Sequence, residues 1–199
     1  MKFDILLCGV GGQGVLSLAA IVAQAAVSEG RYVKQSEVHG MAQRGGAVSA
    51  HLRIGDQPIA SDLIAHGDAD MILSMEPLEA LRYREFLNPA SGVVVTTREP
   101  FINIDDYPDP QSIYERLAVV YPRLFLADAT ALAKQAGNPK ATNMVLVGAA
   151  AASLPVSAKA IETAIGELFG SKGQAIVDAN IAALAAGRAD AAAKIARPA

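Results

Sequence analysis

The order of apolar and polar positions divides the chain into alternating short strands and longer helices. Residues 5–8 form a short continuous apolar run, a glycine cluster follows, and the Ala/Leu/Val stretch V-L-S-L-A-A-I-V-A-Q-A-A begins at Val15. A run of that length bounded by glycines predicts a buried strand and a tight turn. The long stretch predicts a helix that Gly30 closes. Residues 31–36 read as a second strand and 47–54 alternate as a third, with Gly55 and Asp56 turning the chain into a very short strand at 58–60. A short helix capped by Ser61 or Asp62 is expected over 61–67, and a buried strand over 69–75. The next helix begins at Pro77, a residue suited to a first helical turn. G-V-V-V-T-T at 92–97 is β-branched and reads as a buried strand, whereas 98–110, rich in proline and aspartate, reads as a surface loop with an extended part near 101–104. Then come a helix over 111–120, a strand over 124–127 and a helix over 129–136 ended by Gly137. Three further helices cover 142–153, the stretch from the cap at Ser157 to Phe169, and 174–187, the last with a helix-prone tail. This alternation predicts a three-layer α/β domain with a mostly parallel sheet and a helical C-terminal part, with binding loops at the strand ends.

Length and composition narrow the possibilities. The 199 residues, 52% hydrophobic and 19% charged, suffice for one well-buried domain spanning 1–199, with little room for two. A formal charge of -3 without a Lys/Arg cluster argues against nucleic acid as a partner. The N-terminus M-K-F-D-I-L-L-C-G superficially resembles a signal peptide, but Asp4 interrupts the approach to the apolar run and the glycines cut it short. The longer apolar runs contain Ser, Gln or Gly, so no membrane association is expected and a cytoplasmic protein is. The single cysteine, Cys8, cannot form an internal disulfide, hold an iron–sulfur cluster or build a cysteine zinc site, and reads as a small buried hydrophobe. Abundant alanine, with 17 glycines, predicts closely packed helices that each bury less apolar area than Leu-rich ones, and hence reliance on a partner surface.

Candidate chemistry gathers in two stretches. Gly9, Gly11 and Gly14 fall on the G-x-G-x-x-G spacing, which suits a phosphate or carboxylate approached by backbone and by the first free N–H groups of a helix. A strand-to-helix crossover needs the same tight turn with nothing bound. A dinucleotide fold wants an acid at the end of the second strand, where Gln35 and Ser36 stand and Glu37 comes two residues late. Val15 and Leu16 occupy the places of a P-loop lysine and hydroxyl. The second stretch, S-E-V-H-G-M-A-Q-R-G-G at 36–46, packs Glu37, His39, Gln43 and Arg44 into a polar loop suited to a ligand, an interface or plain solvation. Glu37 and His39 could pair on one side of an extended segment, or His39 could hydrogen-bond within the loop or across an interface. Arg44 beside Gly45 and Gly46 could clamp an anion or form an interface ion pair. If the first two strands are parallel neighbours, this loop and the glycine turn share one rim. His39, His51 and His66 lack metal-binding spacing, and neither Cys8 nor Ser17 stands in a nucleophile motif.

Taken together, G-V-G-G-Q-G from Gly9 to Gly14, the 36–46 loop and N-M-V-L-V-G from Asn143 to Gly148 resemble the gamma-type domain of the 2-oxoacid:ferredoxin oxidoreductases. The H-G-M-A-Q-R-G-G version is most similar to the beta-subunit type of the indolepyruvate branch, and the likeness covers almost the whole chain. The resemblance implies a Rossmann-like sheet without NAD, in an accessory subunit that binds no cofactor alone and is inactive in isolation. It implies a larger alpha partner carrying thiamine diphosphate, Mg and [4Fe–4S] clusters. That complex would decarboxylate arylpyruvates such as indolepyruvate oxidatively to aryl-acetyl-CoA and pass electrons to ferredoxin. In related enzymes the domain packs near the active-site channel. The resemblance therefore makes Gly9, Gly11, Gly12, Gln13, Gly14, Arg44 and Asn143 candidates for cofactor contact, with CoA foremost. It makes Glu37, His39, Gln43 and Arg44 candidates for the substrate channel or interface, and assigns this chain no catalytic or metal-ligating residue. Two alternatives stand beside it: a stand-alone CoA- or nucleotide-binding module, and the equivalent subunit acting on phenylglyoxylate or another 2-oxoacid.

Overall fold

Along the first strand, β1 (Lys2–Val10), successive side chains enter different cores: Ile5 and Leu7 join one apolar cluster, Leu6 and Cys8 the other. That alternation is the pleat of a strand buried on both faces. The computed structural model describes residues 1–39 and 45–195, with the side chains of His39 and Ile195 left aside. After β1 come α1 (Val15–Ser28), β2 (Tyr32–His39), β3 (Ala47–Gly55), β4 (Met71–Ser74), α2 (Pro77–Arg82) and β5 (Val93–Thr97). The chain continues through α3 (Pro110–Val120), β6 (Leu124–Ala127), α4 (Ala129–Gln135), α5 (Thr142–Ala150), α6 (Ala158–Phe169) and α7 (Gln174–Ile195).

The strands form one sheet in the order β2-β3-β1-β4-β5-β6. β1, β4, β5 and β6 pair in parallel, while β3 is antiparallel to both β1 and β2. The first core cluster lies between the sheet and the layer of α1, α4, α5, α6 and α7, and the second lies under α2 and α3. The result is a three-layer, Rossmann-like α/β fold with a mostly parallel sheet and a helical C-terminal part.

Several expectations are corrected. β1 and β2 run the same way but are not neighbours, because β3 lies between them. The link from His39 to Ala47 is too short for a parallel crossover, which takes a dozen residues or more, so β3 returns antiparallel. Strand β2 also extends to His39, so 36–39 belongs to the sheet rather than to a loop. The short strand at 58–60 and the helix over 61–67 are absent, and turns and bends take their place. Side chains of β3 hold this segment: Arg53 donates to the carbonyls of Ser61 and Leu63 at 3.1 and 2.8 Å, and His51 Nδ1 accepts from Ile64 N–H at 3.0 Å. Those backbone groups are then not available to a helical ladder. No strand forms at 101–104, α5 stops at Ala150, and α7 runs on to Ile195.

Asp4, an apparent interruption of the first apolar run, is fully buried. Its two oxygens accept from Nε and Nη2 of Arg53, each at 3.0 Å, directly across the β1–β3 ladder. The fork matches the carboxylate, which is what makes a buried charge tolerable. In the helical layer, every residue from Asn143 to Ala150 is buried, and α5 packs hard against α7.

Candidate functional site

The glycine turn closes on itself and on the start of β3. Gly11 donates to Gly46 O at 2.8 Å and accepts from Gly45 N–H at 3.3 Å, while Gln13 N–H returns to Val10 O at 3.1 Å. The Gln13 side chain is also engaged: Oε1 accepts from Val10 N–H at 2.7 Å and Nε2 donates to Met75 O at 3.0 Å. Gln13 thus ties the end of β1 to the end of β4. Gly9 has to be small, since a Cβ there would stand 2.9 Å from Gln13 Oε1 and from Met75 Cβ. Gly14, at φ +88°, begins α1 in the left-handed region that favours glycine, and α1 has no side-chain cap. A Cβ on Gly14 would meet Asn143 Nδ2 at 3.0 Å.

Gly9, Gly11, Gly12, Gln13, Gly14 and Asn143 therefore gather at one place, with Gly12 exposed. Glu37 does not join them directly. It is exposed on β2 and accepts from Gln35 Nε2 at 2.7 Å. The sheet register places His39 opposite Val48, and Val48 opposite Gly9. The ends of β1 and β2 thus occupy one sheet edge, two strand spacings or about 10 Å apart. The arrangement also explains why the dinucleotide spacing lacks its acid: with β3 between β1 and β2, the end of β2 is not beside the glycine turn as that fold requires. Gln43 and Arg44 lie outside the described residues, as does the side chain of His39.

The sequence reading missed the acids and aromatics that share this edge. Glu76, buried at the end of β4, caps α2 by accepting from Glu79 N–H at 2.8 Å. Its other oxygen accepts from Phe101 N–H at 3.4 Å and from the Tyr107 hydroxyl. Burial and the Glu76 carboxylate push the Tyr107 hydroxyl far up, so Tyr107 stays a donor. Burial also raises the Glu79 carboxyl, against the opposing pull of Arg82, whose Nε lies 3.1 and 3.0 Å from its two oxygens. Glu99 accepts from Thr97 Oγ1 and, at 3.1 Å, from Thr130 N–H, and Asn103 Nδ2 donates to Gly45 O at 2.6 Å. The 98–109 loop is thereby strapped across the strand ends. The signals available were Glu76 immediately before Pro77 and the polar composition of the strap.

Two clefts open beneath this strap. One, of about 180 Å³, is lined by Gln13, Met75, Thr97, Glu99, Phe101 and Thr130. The other, of about 110 Å³, is lined by Gly45, Glu76, Glu79, Asn103 and Tyr107 among others. The carboxyl ends of parallel strands are where open α/β sheets take ligands. Cys8 is fully buried and its thiol is pushed up to about 12, mainly by burial, so it is neither nucleophile nor metal ligand. Among the described residues no group of three or more His, Cys, Asp and Glu side chains could hold a metal ion. No helix among them is long and apolar enough to cross a membrane.

Comparison with known proteins agrees with this architecture. Residues 4–189 match the family described as pyruvate ferredoxin/flavodoxin oxidoreductase. Indolepyruvate oxidoreductase subunit IorB of Archaeoglobus fulgidus is 42% identical over 194 residues, covering 94% of each chain. The pyruvate oxidoreductase subunit PORC of Thermotoga maritima superposes with a TM-score of 0.70 at 25% identity, again over 94% of each chain. The 2-oxoglutarate:ferredoxin oxidoreductase of Magnetococcus marinus superposes with a TM-score of 0.76 at 20% identity, a likeness of fold. There the present chain covers 31% of the longer polypeptide and 96% of its own length. The chain belongs to the pyruvate ferredoxin/flavodoxin oxidoreductase family, as a subunit of its gamma or IorB type.

Proposed function

We propose that the chain, a single gamma-type domain over residues 1–199, is the accessory subunit of a cytoplasmic complex that oxidatively decarboxylates arylpyruvates such as indolepyruvate. The overall reaction consumes a 2-oxoacid anion, CoA and two oxidised ferredoxins and yields an acyl-CoA, CO₂, a proton and two reduced ferredoxins, each ferredoxin taking one electron. The observation that carries this reading is the 42% identity to an indolepyruvate oxidoreductase subunit across 94% of both chains.

Of the groups this chemistry needs, thiamine diphosphate, Mg and [4Fe–4S] clusters, the clusters do not fit the donors of this chain. A cluster takes four thiolates, and the sequence holds one cysteine, which is buried. These groups are assigned to the larger alpha partner, and no step of their chemistry runs through residues of this subunit. Its contribution is a shaped edge, the glycine turn held by Gln13 and the end of β2 with Glu37 and His39; Gln43 and Arg44 stay candidates for the substrate channel or interface. That edge meets the alpha partner beside its active-site channel, with Gly12, Gly14 and Asn143 towards CoA, and Arg44 is a further candidate for contact with CoA. Exposed Phe101, Ile102 and Ile104 on the strap, with Val38 on β2, add apolar area suited to burial against a subunit.

Anaerobic co-expression with a thiamine- and cluster-bearing partner tests the assignment. The expected result is a stable complex with cluster absorbance that oxidises indolepyruvate in preference to pyruvate, 2-oxoglutarate and phenylglyoxylate. A complex preferring one of those acids would overturn the substrate, and failure to associate would overturn the subunit role.

A further inference from the structure

β2 is the outermost strand on its side of the sheet. It pairs with β3 over all eight of its residues in an unbroken register, so alternate residues turn their N–H and C=O groups outward. Among the described residues, no backbone hydrogen bond from outside the sheet reaches those groups. Edge strands are ordinarily protected from pairing by short length, a proline, a bulge, a projecting lysine or a covering segment. β2 is long, has no proline and carries no bulge. Its lysine, Lys34, is folded back over the sheet, with Nζ donating to Ala60 O at 3.0 Å. Its acid, Glu37, is engaged along the strand by Gln35 Nε2 at 2.7 Å. An edge so open is built to be paired.

The residues of β2 select what pairs with it. Its large exposed apolar side chains, Tyr32 at 49% and Val38 at 58% exposure, stand on one face of the strand, at equal distances either side of Gln35. Side chains directly opposite each other in a sheet share a face, so two antiparallel copies of β2 related by a two-fold axis must be centred on a residue. Centring on Lys34 or on Glu37 sets like charges opposite each other. Centring on Ser36 leaves Tyr32 beyond the end of the second strand. Centring on Gln35 sets Tyr32 of each copy opposite Val38 of the other, Lys34 opposite Ser36, and Val33 opposite Glu37. An aromatic and β-branched pair then forms twice, and no like charges stand directly opposite.

We infer that the outer edge of β2 is a dimerisation surface, on which a second copy of this chain pairs its own β2 antiparallel about Gln35. The contact is isologous, and the two six-stranded sheets become one. The carboxyl ends of the two β2 strands point in opposite directions. The two glycine turns therefore lie towards opposite ends of the joined sheet, each open to its own alpha partner. The pairing involves this chain alone and does not rest on the subunit assignment.

Sedimentation of the full chain over a concentration series, with two charge variants, provides the test. The wild type should be a dimer in equilibrium with monomer. Tyr32→Lys with Val38→Lys sets lysine opposite lysine twice and should raise the dissociation constant by at least about tenfold. Tyr32→Lys with Val38→Glu sets lysine opposite glutamate twice and should bring dimerisation back. Both positions are exposed, so circular dichroism of each variant should match the wild type. A wild type that is monomeric at every concentration overturns the proposal, including the case in which the double-lysine variant loses affinity for the alpha partner, which would give the edge to that subunit. A dimer that both variants leave unchanged, or that the lysine–glutamate variant restores no better than the double-lysine one, also overturns it.

Discussion

Gly148 and Gly187 each stand where the other's helix passes: a Cβ on Gly148 would lie 2.0 Å from Leu184 O, and one on Gly187 2.0 Å from Val145 O. The α5–α7 crossing is therefore backbone against backbone, and it secures the helix that carries Asn143. Alanine at either position has to push the helices apart, because the obstruction is a carbonyl rather than a flexible side chain. Gly148→Ala and Gly187→Ala should each cost about 3 kcal/mol, the upper end of overpacking penalties. The double variant should cost less than the sum, since one separation relieves both clashes. Urea denaturation of the three variants measures this.

Asp4 is fully buried and Arg53 nearly so. Lys2 Nζ also reaches Asp4 at 2.9 Å, but from an exposed position, so loss of Arg53 costs the carboxylate its forked partner and loss of Asp4 costs the guanidinium its counter-charge. Asp4→Asn and Arg53→Met should each destabilise by about 3–5 kcal/mol. The double variant should again cost less than the two together. Arg53→Met should in addition expose 61–64 to proteolysis, since Arg53 holds the Ser61 and Leu63 carbonyls.

His51 gives the fold a pH dependence of defined sign. Burial is the main cause that holds its imidazole below the ordinary value of 6.5, consistent with Nδ1 accepting from Ile64 N–H. The unfolded chain then binds a proton that the folded chain refuses. The stabilisation is fully present above 6.5 and is lost as pH falls from there through the depressed folded value. His51→Asn keeps an acceptor near Ile64 N–H and cannot titrate. Stability of the wild type relative to this variant should fall between pH 6.5 and 5, by at most about 1.4 kcal/mol per pH unit.

Gln13 joins Val10 N–H to Met75 O through one side chain. Gln13→Ala should cost about 1–3 kcal/mol by leaving both groups without their partner. Hydrogen exchange at the Val10 amide should accelerate beyond the change expected from global stability alone.

The strands were legible wherever a β-branched or apolar run was bounded by turn residues. Residues 124–127 agree with β6 at both ends, and Ser157 and Pro77 mark helix starts through local hydrogen bonding and fixed φ. Pairing was less legible, because it is decided between residues far apart in sequence. Nothing near Asp4 announces Arg53, and nothing in 31–36 announces that β3 will stand between β2 and β1. The helix expected over 61–67 failed for the same reason, its backbone groups being claimed by Arg53 and His51. At the site, the glycine spacing revealed the turn but not that Gln13 would be spent inside it, nor that Glu76 and Tyr107 would brace the strap beside it.

The most direct test is activity as a function of added subunit. The purified alpha partner is titrated anaerobically with this chain and assayed with indolepyruvate, CoA and oxidised ferredoxin. Ferredoxin reduction should be negligible with either chain alone and should rise to a plateau at a fixed ratio of the two. Reduction by the isolated chain, or by the alpha partner at a rate that this chain does not change, would contradict its role as the accessory subunit.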